Sequence, residues 1–418
     1  MMSQAFYTGI SGIRSNQYAI DVVSNNMANV STVGFRGSNY EFASLFEEQL
    51  STATSVASSS IGLGSRLQAT SMVDGQGVLQ LTDRSTDLAI LGDGWFGIQG
   101  EGDPVYTRDG AFTFDANDDL VSLDGLHVLG TLGGNISDND VLTSTIDEIP
   151  LGPIASQEKL KFPKSLTFPP VATSLATFSG NLGNLDEVRT MSAGVVDSQS
   201  NKNELKLTFT RTVPQVLPGS QWDVVATTET LDGNTIYDTK NGQALFGASG
   251  DLISSTLTSI DNNGTNLEID LGSGFDGVVA LSNTDVYASS SANGTIGGDL
   301  RGYSINKNGE VIATFTNGAQ SSVGKIAIYH FQNEQGLTRL NGSKFQASQN
   351  SGEPLFYTDA AGNNIIGTDL TNFNLEGSNI DLSYGLTDLI ILQRSYDANS
   401  KSITTADQMM QKALSMDA

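Results

Sequence analysis

Both ends of this chain carry the same apolar pattern, and the residues between them do not. Near the N-terminus Phe6, Ile13, Ile20 and Met27 recur every seven residues, with Ile10 between the first two. Near the C-terminus Leu389, Tyr396, Ile403 and Met410 repeat that spacing, with Leu386, Ile390 and Leu414 on or near the same face. Apolar residues so spaced share one side of a helix, so each end predicts an amphipathic helix. The second should span about 382–414: no proline interrupts it, and Asp381 and Asp388 toward its start and Lys412 toward its end suit the helix dipole. In the first, Gly9 and Gly12 each weaken the helix by about 1 kcal/mol relative to alanine, and Gly34 offers a stop. A lone amphipathic helix is marginal in water. Each stripe needs a cover, supplied by the other end, by another copy, or by both. Each large apolar side chain fully buried there contributes about 1.5–3 kcal/mol. An intramolecular core is hardest to complete at the extremities of a chain, so the expected cover includes other copies.

The middle reads as β-structure. Turn dipeptides recur at Asp93-Gly94, Asp109-Gly110, Asp124-Gly125, Asp232-Gly233, Asn241-Gly242, Asn308-Gly309, Asn317-Gly318 and Asn341-Gly342. Such pairs accept the positive φ of hairpin turns. Residues 204–210 alternate polar and apolar, as a half-buried strand does, and 311–316 form a second β-rich run. The stretch 51–60, rich in Ser, Ala and Thr, reads as a linker. Pro150, Pro153, Pro163, Pro169 and Pro170 mark a boundary between compact β-units. The expected class is mainly β, largely antiparallel, with terminal α-helices.

Composition narrows the function. With 21 basic against 46 acidic residues, the formal charge of −25 repels phosphate backbones and anionic lipid. No nucleic acid partner is expected. No run of about 18 apolar residues is present, so no membrane insertion is expected, and the N-terminus has no basic region followed by an apolar one, so no cleaved signal peptide is expected. Cysteine is absent and the only histidines are His127 and His330, which excludes a disulfide, a thiolate metal site and a histidine cluster. Residues 92–97 and 272–277 fit the spacing G-x-G-x-x-G, but a dinucleotide loop needs a helix to follow, and turn-rich β-sequence follows here. Asp115, Asn117 and Asp119 start like a calcium loop, yet Leu120 and Leu126 stand where glycine and glutamate are required. Chance carboxylate pairs are plentiful and carry little information. No cofactor, metal or catalytic residue is expected, and the chain does not read as an enzyme.

Three segments bear a family resemblance. Ser24-Asn-Asn-Met-Ala-Asn-Val-Ser-Thr-Val-Gly-Phe-Arg36 resembles the N-terminal signature of the flagellar rod and hook axial proteins, with Asn29, Gly34, Phe35 and Arg36 in its turn. Residues 389–410 resemble their C-terminal signature, and residues 87–96 with 105–112 their first β-domain. Trp95 stands where Phe is usual, Ser31 where Asn is usual and Arg36 where Lys is commoner. Length, together with residues 196–200, 205–209 and 222–226, resembles the hook members, which carry an outer domain.

The resemblance implies an architecture. Residues 1–33 and 380–418 would form a coiled coil, 34–70 and 362–379 a linker or extended arm, 71–151 and 298–361 an inner β-domain, and 152–297 an outer β-domain inserted into it. It also implies a helical homopolymer in the extracellular hook and basal body, a flexible tube passing motor torque from rod to filament, exported through the flagellar apparatus. Neighbours would be the distal rod protein, the hook cap and the hook–filament junction proteins. A distal-rod-type axial protein is the nearest alternative, and a secreted β-rich adhesin the alternative from another class.

Overall fold

The computed structural model describes residues 2–45, 47–49, 60–62, 64–183, 188–215, 218–282 and 284–416. Most of the 51–60 stretch expected to be a linker lies outside them. Two long helices, α1 (Met2–Ala28) and α2 (Leu382–Met416), close the chain at its ends. They pack antiparallel: Gly9 faces Ile403, Gly12 faces Asn399 and Met27 faces Gly385. Asp381 caps α2, its carboxylate accepting from the N–H of Ser383 at 2.8 Å and of Tyr384 at 3.1 Å. Gly34 does not stop α1, which ends six residues earlier at Ala28. Its φ of +64° serves a close approach instead, since a Cβ there would lie 2.4 Å from the Asp109 nitrogen.

After α1, strands Ser38–Ser44 and Ser65–Met72 pair antiparallel, and Ser15 Oγ donates to the Ser65 carbonyl at 2.9 Å. The chain then enters a large mixed-connectivity sheet. Its path runs from Thr167–Phe168 through Gly298–Ile305, Glu310–Phe315, Gln320–Ile326, His127–Leu132, Trp95–Gln99 and Val105–Thr107 to Lys344–Gln346 and Thr338–Arg339. Two cores fill it, one around Phe96, Phe112, Leu160, Phe168 and Phe315, the other around Trp95, Tyr106, Tyr329 and Phe345. Segments grouped otherwise from the sequence hydrogen-bond into this body. Glu158–Lys159 pairs with His127–Leu132, and Thr167–Phe168 with Gly298–Ile305. Asp369–Asn372 pairs with Leu88–Leu91, and Asn374–Glu376 with Leu79–Leu81. Apolar residues decide this: Leu160, Phe162, Leu166, Phe168 and Leu370 are buried in the first core.

Residues between about 171 and 297 form a second unit. A five-stranded antiparallel meander, Arg189–Val196 to Leu252–Ser255, faces a six-stranded sheet centred on Leu175–Asn181 across one core. Strand Lys202–Arg211 buries Leu205, Leu207 and Phe209, and Ser220–Thr230 buries Trp222, Val224 and Ala226. This is the period of two that the sequence shows over 204–210. The two connections to the first body run side by side, joined by an antiparallel bridge between Val171 and Thr295.

Most turn dipeptides sit where expected; Gly125, Gly233, Gly309, Gly318 and Gly342 all have positive φ between strands. Asn241-Gly242 differs. It lies inside strand Ile236–Phe246, where a Cβ on Gly242 would come within 2.8 Å of Leu257 Cβ. The glycine there admits a crossing chain rather than a turn. Because the second unit has its own core, Trp222→Ala should cost that unit about 3–5 kcal/mol and leave the first body's transition in place. Differential scanning calorimetry checks this; one transition shifting as a whole would contradict it.

Candidate functional site

The seam between the helices differs in detail from the stripe of large residues. Ala19, Val23 and Leu392 form its buried centre, with Ile20, Met27, Leu389 and Tyr40 packed around them. On α2 the buried positions are Gly385, Leu392 and Ala406, and half-buried Asn399 completes a seven-residue series. Small residues let the helices approach closely. A Cβ at Gly9 would sit 2.7 Å from Ile403 Cγ1, and one at Gly12 2.8 Å from the Asn399 amide. Phe6, Ile10, Ile13 and Ile403 are half-buried flanks of this seam. Leu386, Tyr396, Met410 and Leu414 are exposed, Leu414 to 70%. Leu382, Tyr384, Ile390 and Ile391 are exposed as well, so α2 presents apolar surface that nothing described in this chain covers. The sequence signal for the seam's centre is the series 385, 392, 399 and 406, easily passed over because its members are small or polar.

The signature turn locks the helices to the β-body. Asn26 on α1 both donates to the Ser38 carbonyl at 2.7 Å and accepts from the Ser38 N–H at 3.0 Å, so a helical side chain fixes the start of a strand. Asn29 donates to the Asn25 carbonyl at 2.8 Å and accepts from the Thr32 hydroxyl, closing the end of α1. Arg36 then reaches Glu376 at 3.0 Å, and Arg108 of the β-body reaches the other oxygen of the same carboxylate at 3.3 Å. All three side chains are buried. The Gly77 N–H also donates to Glu376, and the Gly34 N–H to its main-chain carbonyl at 2.7 Å. Burial, and then the neighbouring Arg36 charge, push Arg108 down to about 10. Arg339 stacks over Phe35 and Phe345, 5.0 Å from each ring, and donates to the Arg36 carbonyl. Asn379 accepts from Gly37 and donates to the Val73 carbonyl, both at 2.9 Å. A further tie runs from Tyr40 to Asp388 of α2 at 3.0 Å; burial, then that hydrogen bond, raise the phenol to about 12. Glu376, Arg108, Arg339 and Asn379 are not discernible as partners of the turn from spacing, because they arrive from segments far along the chain.

The other motifs resolve structurally. Residues 92–97 turn directly into strand Trp95–Gln99, and 272–277 form a tight hairpin. Asp115 spends one carboxylate oxygen on the N–H groups of Asn117 and Asp119. His127 contacts Asp119 at 3.2 Å, and buried His330 meets the Ile366 carbonyl at 2.8 Å.

Three family models match in chain order. They are the flagella basal body rod protein over 6–36, the flagellar hook protein FlgE/F/G D1 domain over 89–175, and the flagellar basal body rod FlgEFG protein C-terminal region over 372–416. The flagellar hook protein FlgE of Borreliella burgdorferi is 28% identical, covering 98% of this chain and 99% of its own. That of Escherichia coli is 29% identical, covering 97% and 98%. The crystal structure of the Helicobacter pylori flagellar hook protein FlgE2 shares the fold, with a TM-score of 0.56 at 17% identity over 71% of this chain and 100% of that one. Terminal helices clamped together onto a β-body, with these three segments in this order, define an axial protein of the bacterial flagellum. Within that class the chain belongs to the flagellar hook protein FlgE family.

Two substitutions test the geometry. Helix propensity alone says that Gly9→Ala should stabilise α1 by about 1 kcal/mol. The contact with Ile403 reverses the sign, and a net loss of about 1–3 kcal/mol is expected from overpacking. Urea unfolding decides between them. Glu376→Gln strands two buried guanidinium groups and should cost about 3–5 kcal/mol, read by the same measurement; an unchanged midpoint would remove the clamp's importance.

Proposed function

We propose that this chain is the repeating structural subunit of the bacterial flagellar hook, polymerising outside the cell into a flexible tube that carries torque from rod to filament. The observation that supports this most is the outward apolar surface of α2, held at a fixed angle to the β-body by the Arg36–Glu376–Arg108 clamp. Surface of that kind on a terminal helix is covered when copies stack. A patch that meets a different patch does not close into a dimer, and repetition of such a contact generates a helical array. The charge of −25 per copy opposes stacking, so apolar burial and ion screening must supply the cohesion. The role is structural rather than catalytic.

The division of labour follows the chain. The helices, Met2–Ala28 and Leu382–Met416, give axial continuity. The first β-body, about 71–170 and 298–379, forms the wall, and the inserted unit, about 171–297, makes outer contacts that break and re-form as the tube bends. That second unit favours the hook over a distal-rod-type protein. The distal rod protein, the hook cap, the hook–filament junction proteins and the export apparatus are the partners this reading assigns.

Truncation tests it. A chain ending at Asp388 keeps Tyr40's partner and the three β-cores but loses most of α2. It should retain its β-sheet circular dichroism and form no tubes by electron microscopy at concentrations where the full chain does. Normal tubes from the truncated chain would overturn the proposal.

A further inference from the structure

Six Asn-Gly pairs lie along the chain, beginning at Asn241, Asn263, Asn293, Asn308, Asn317 and Asn341. Each is a chemical weak point, because glycine leaves its own nitrogen unhindered beside the asparagine side chain. The fold occupies five of them. Asn241-Gly242 is fixed inside a strand paired on the Val224–Val225 side. Asn263 donates to Asp197 at 2.7 Å, while the Gly264 N–H donates to Asp261 at 2.9 Å. Asn293 accepts from the N–H groups of Ser174 and Leu175. Gly309 is buried and its N–H donates to the Asn306 carbonyl at 3.1 Å. Asn317 donates to the Ile296 carbonyl at 2.7 Å and accepts from Ala319 at 2.9 Å.

Asn341-Gly342 differs from all of them. It forms the exposed loop between Thr338–Arg339 and Lys344–Gln346. Among the described residues its amide side chain has no hydrogen-bond partner, the Gly342 N–H donates to none, and the space beside Gly342 is open to 4 Å.

We propose that Asn341 is this protein's site of spontaneous deamidation. The Gly342 nitrogen, giving up its proton to solvent base, bonds to Cγ of Asn341. The Cγ–Nδ2 bond breaks and ammonia departs, leaving a five-membered succinimide. Water then opens one of the two ring C–N bonds. One opening gives aspartate; the other gives isoaspartate, with the main chain rerouted through Cβ. No oxidant or enzyme is required. The modification adds a negative charge and, as isoaspartate, one main-chain carbon to the hairpin whose strands carry Phe345 and Arg339, the guanidinium that stacks over both Phe35 and Phe345.

The test is peptide mapping by mass spectrometry of the folded full chain during incubation at mildly alkaline pH, beside a chain held unfolded in urea. In the unfolded chain all six pairs should convert. In the folded chain Asn341 should convert about tenfold or more faster than any other, the factor that about 1.4 kcal/mol of local opening imposes on the held sites. Conversion of any other pair at an equal rate, or an intact Asn341 in the folded chain while it is lost in the unfolded one, would overturn the proposal.

Discussion

One carboxylate holds the two ends of this chain to its body. Glu376 takes a guanidinium from the turn after α1 and another from the β-body, while lying on the strand that leads into α2. Two positive groups and one negative group without solvent are not a source of net stability in themselves, since desolvation offsets most of their attraction. What such a cluster supplies is selection. Any arrangement that shifts the helices relative to the sheet leaves at least one charge buried and unmatched. The cation stacking of Arg339 and the bracing by Asn26 and Asn379 act in the same direction, so the angle at which the helical pair leaves the body is set by many short contacts.

The helical pair shows why a subunit can be folded and still incomplete. Its centre is built from Ala19, Val23, Gly385, Leu392 and Ala406, residues that bring two backbones together but fill little volume. The bulky residues flank that centre or point away. A helix whose own partner is satisfied by small side chains keeps its large ones for other contacts, and assembly then need not disrupt the fold of the monomer.

How much of this was legible beforehand depended on whether the signal was local. Helix and strand periods are local, and so the terminal helices, the alternation in 204–210 and most hairpin turns are readable from residue order. The segments around Leu160 to Phe168 and at Leu370 have no such period. Their place follows from apolar residues meeting a distant sheet, which spacing does not report. Gly34 and Gly242 were misleading for a related reason. Glycine marks both turns and close approaches, and only the crossing chain, Asp109 in one case and Leu257 in the other, tells which. The seam's centre was obscured by size, because Gly385, Asn399 and Ala406 carry no hydrophobic signal while Tyr396 and Met410 carry a strong one.

The bridge between Val171 and Thr295 brings the chain out of the first body and back into it at neighbouring points. A module attached through such a narrow neck imposes no spacing on its host. It can grow, shrink or be exchanged for another without disturbing the register of the strands below. Evolution can therefore resculpt the outside of the polymer while the part that fixes its lattice stays as it is.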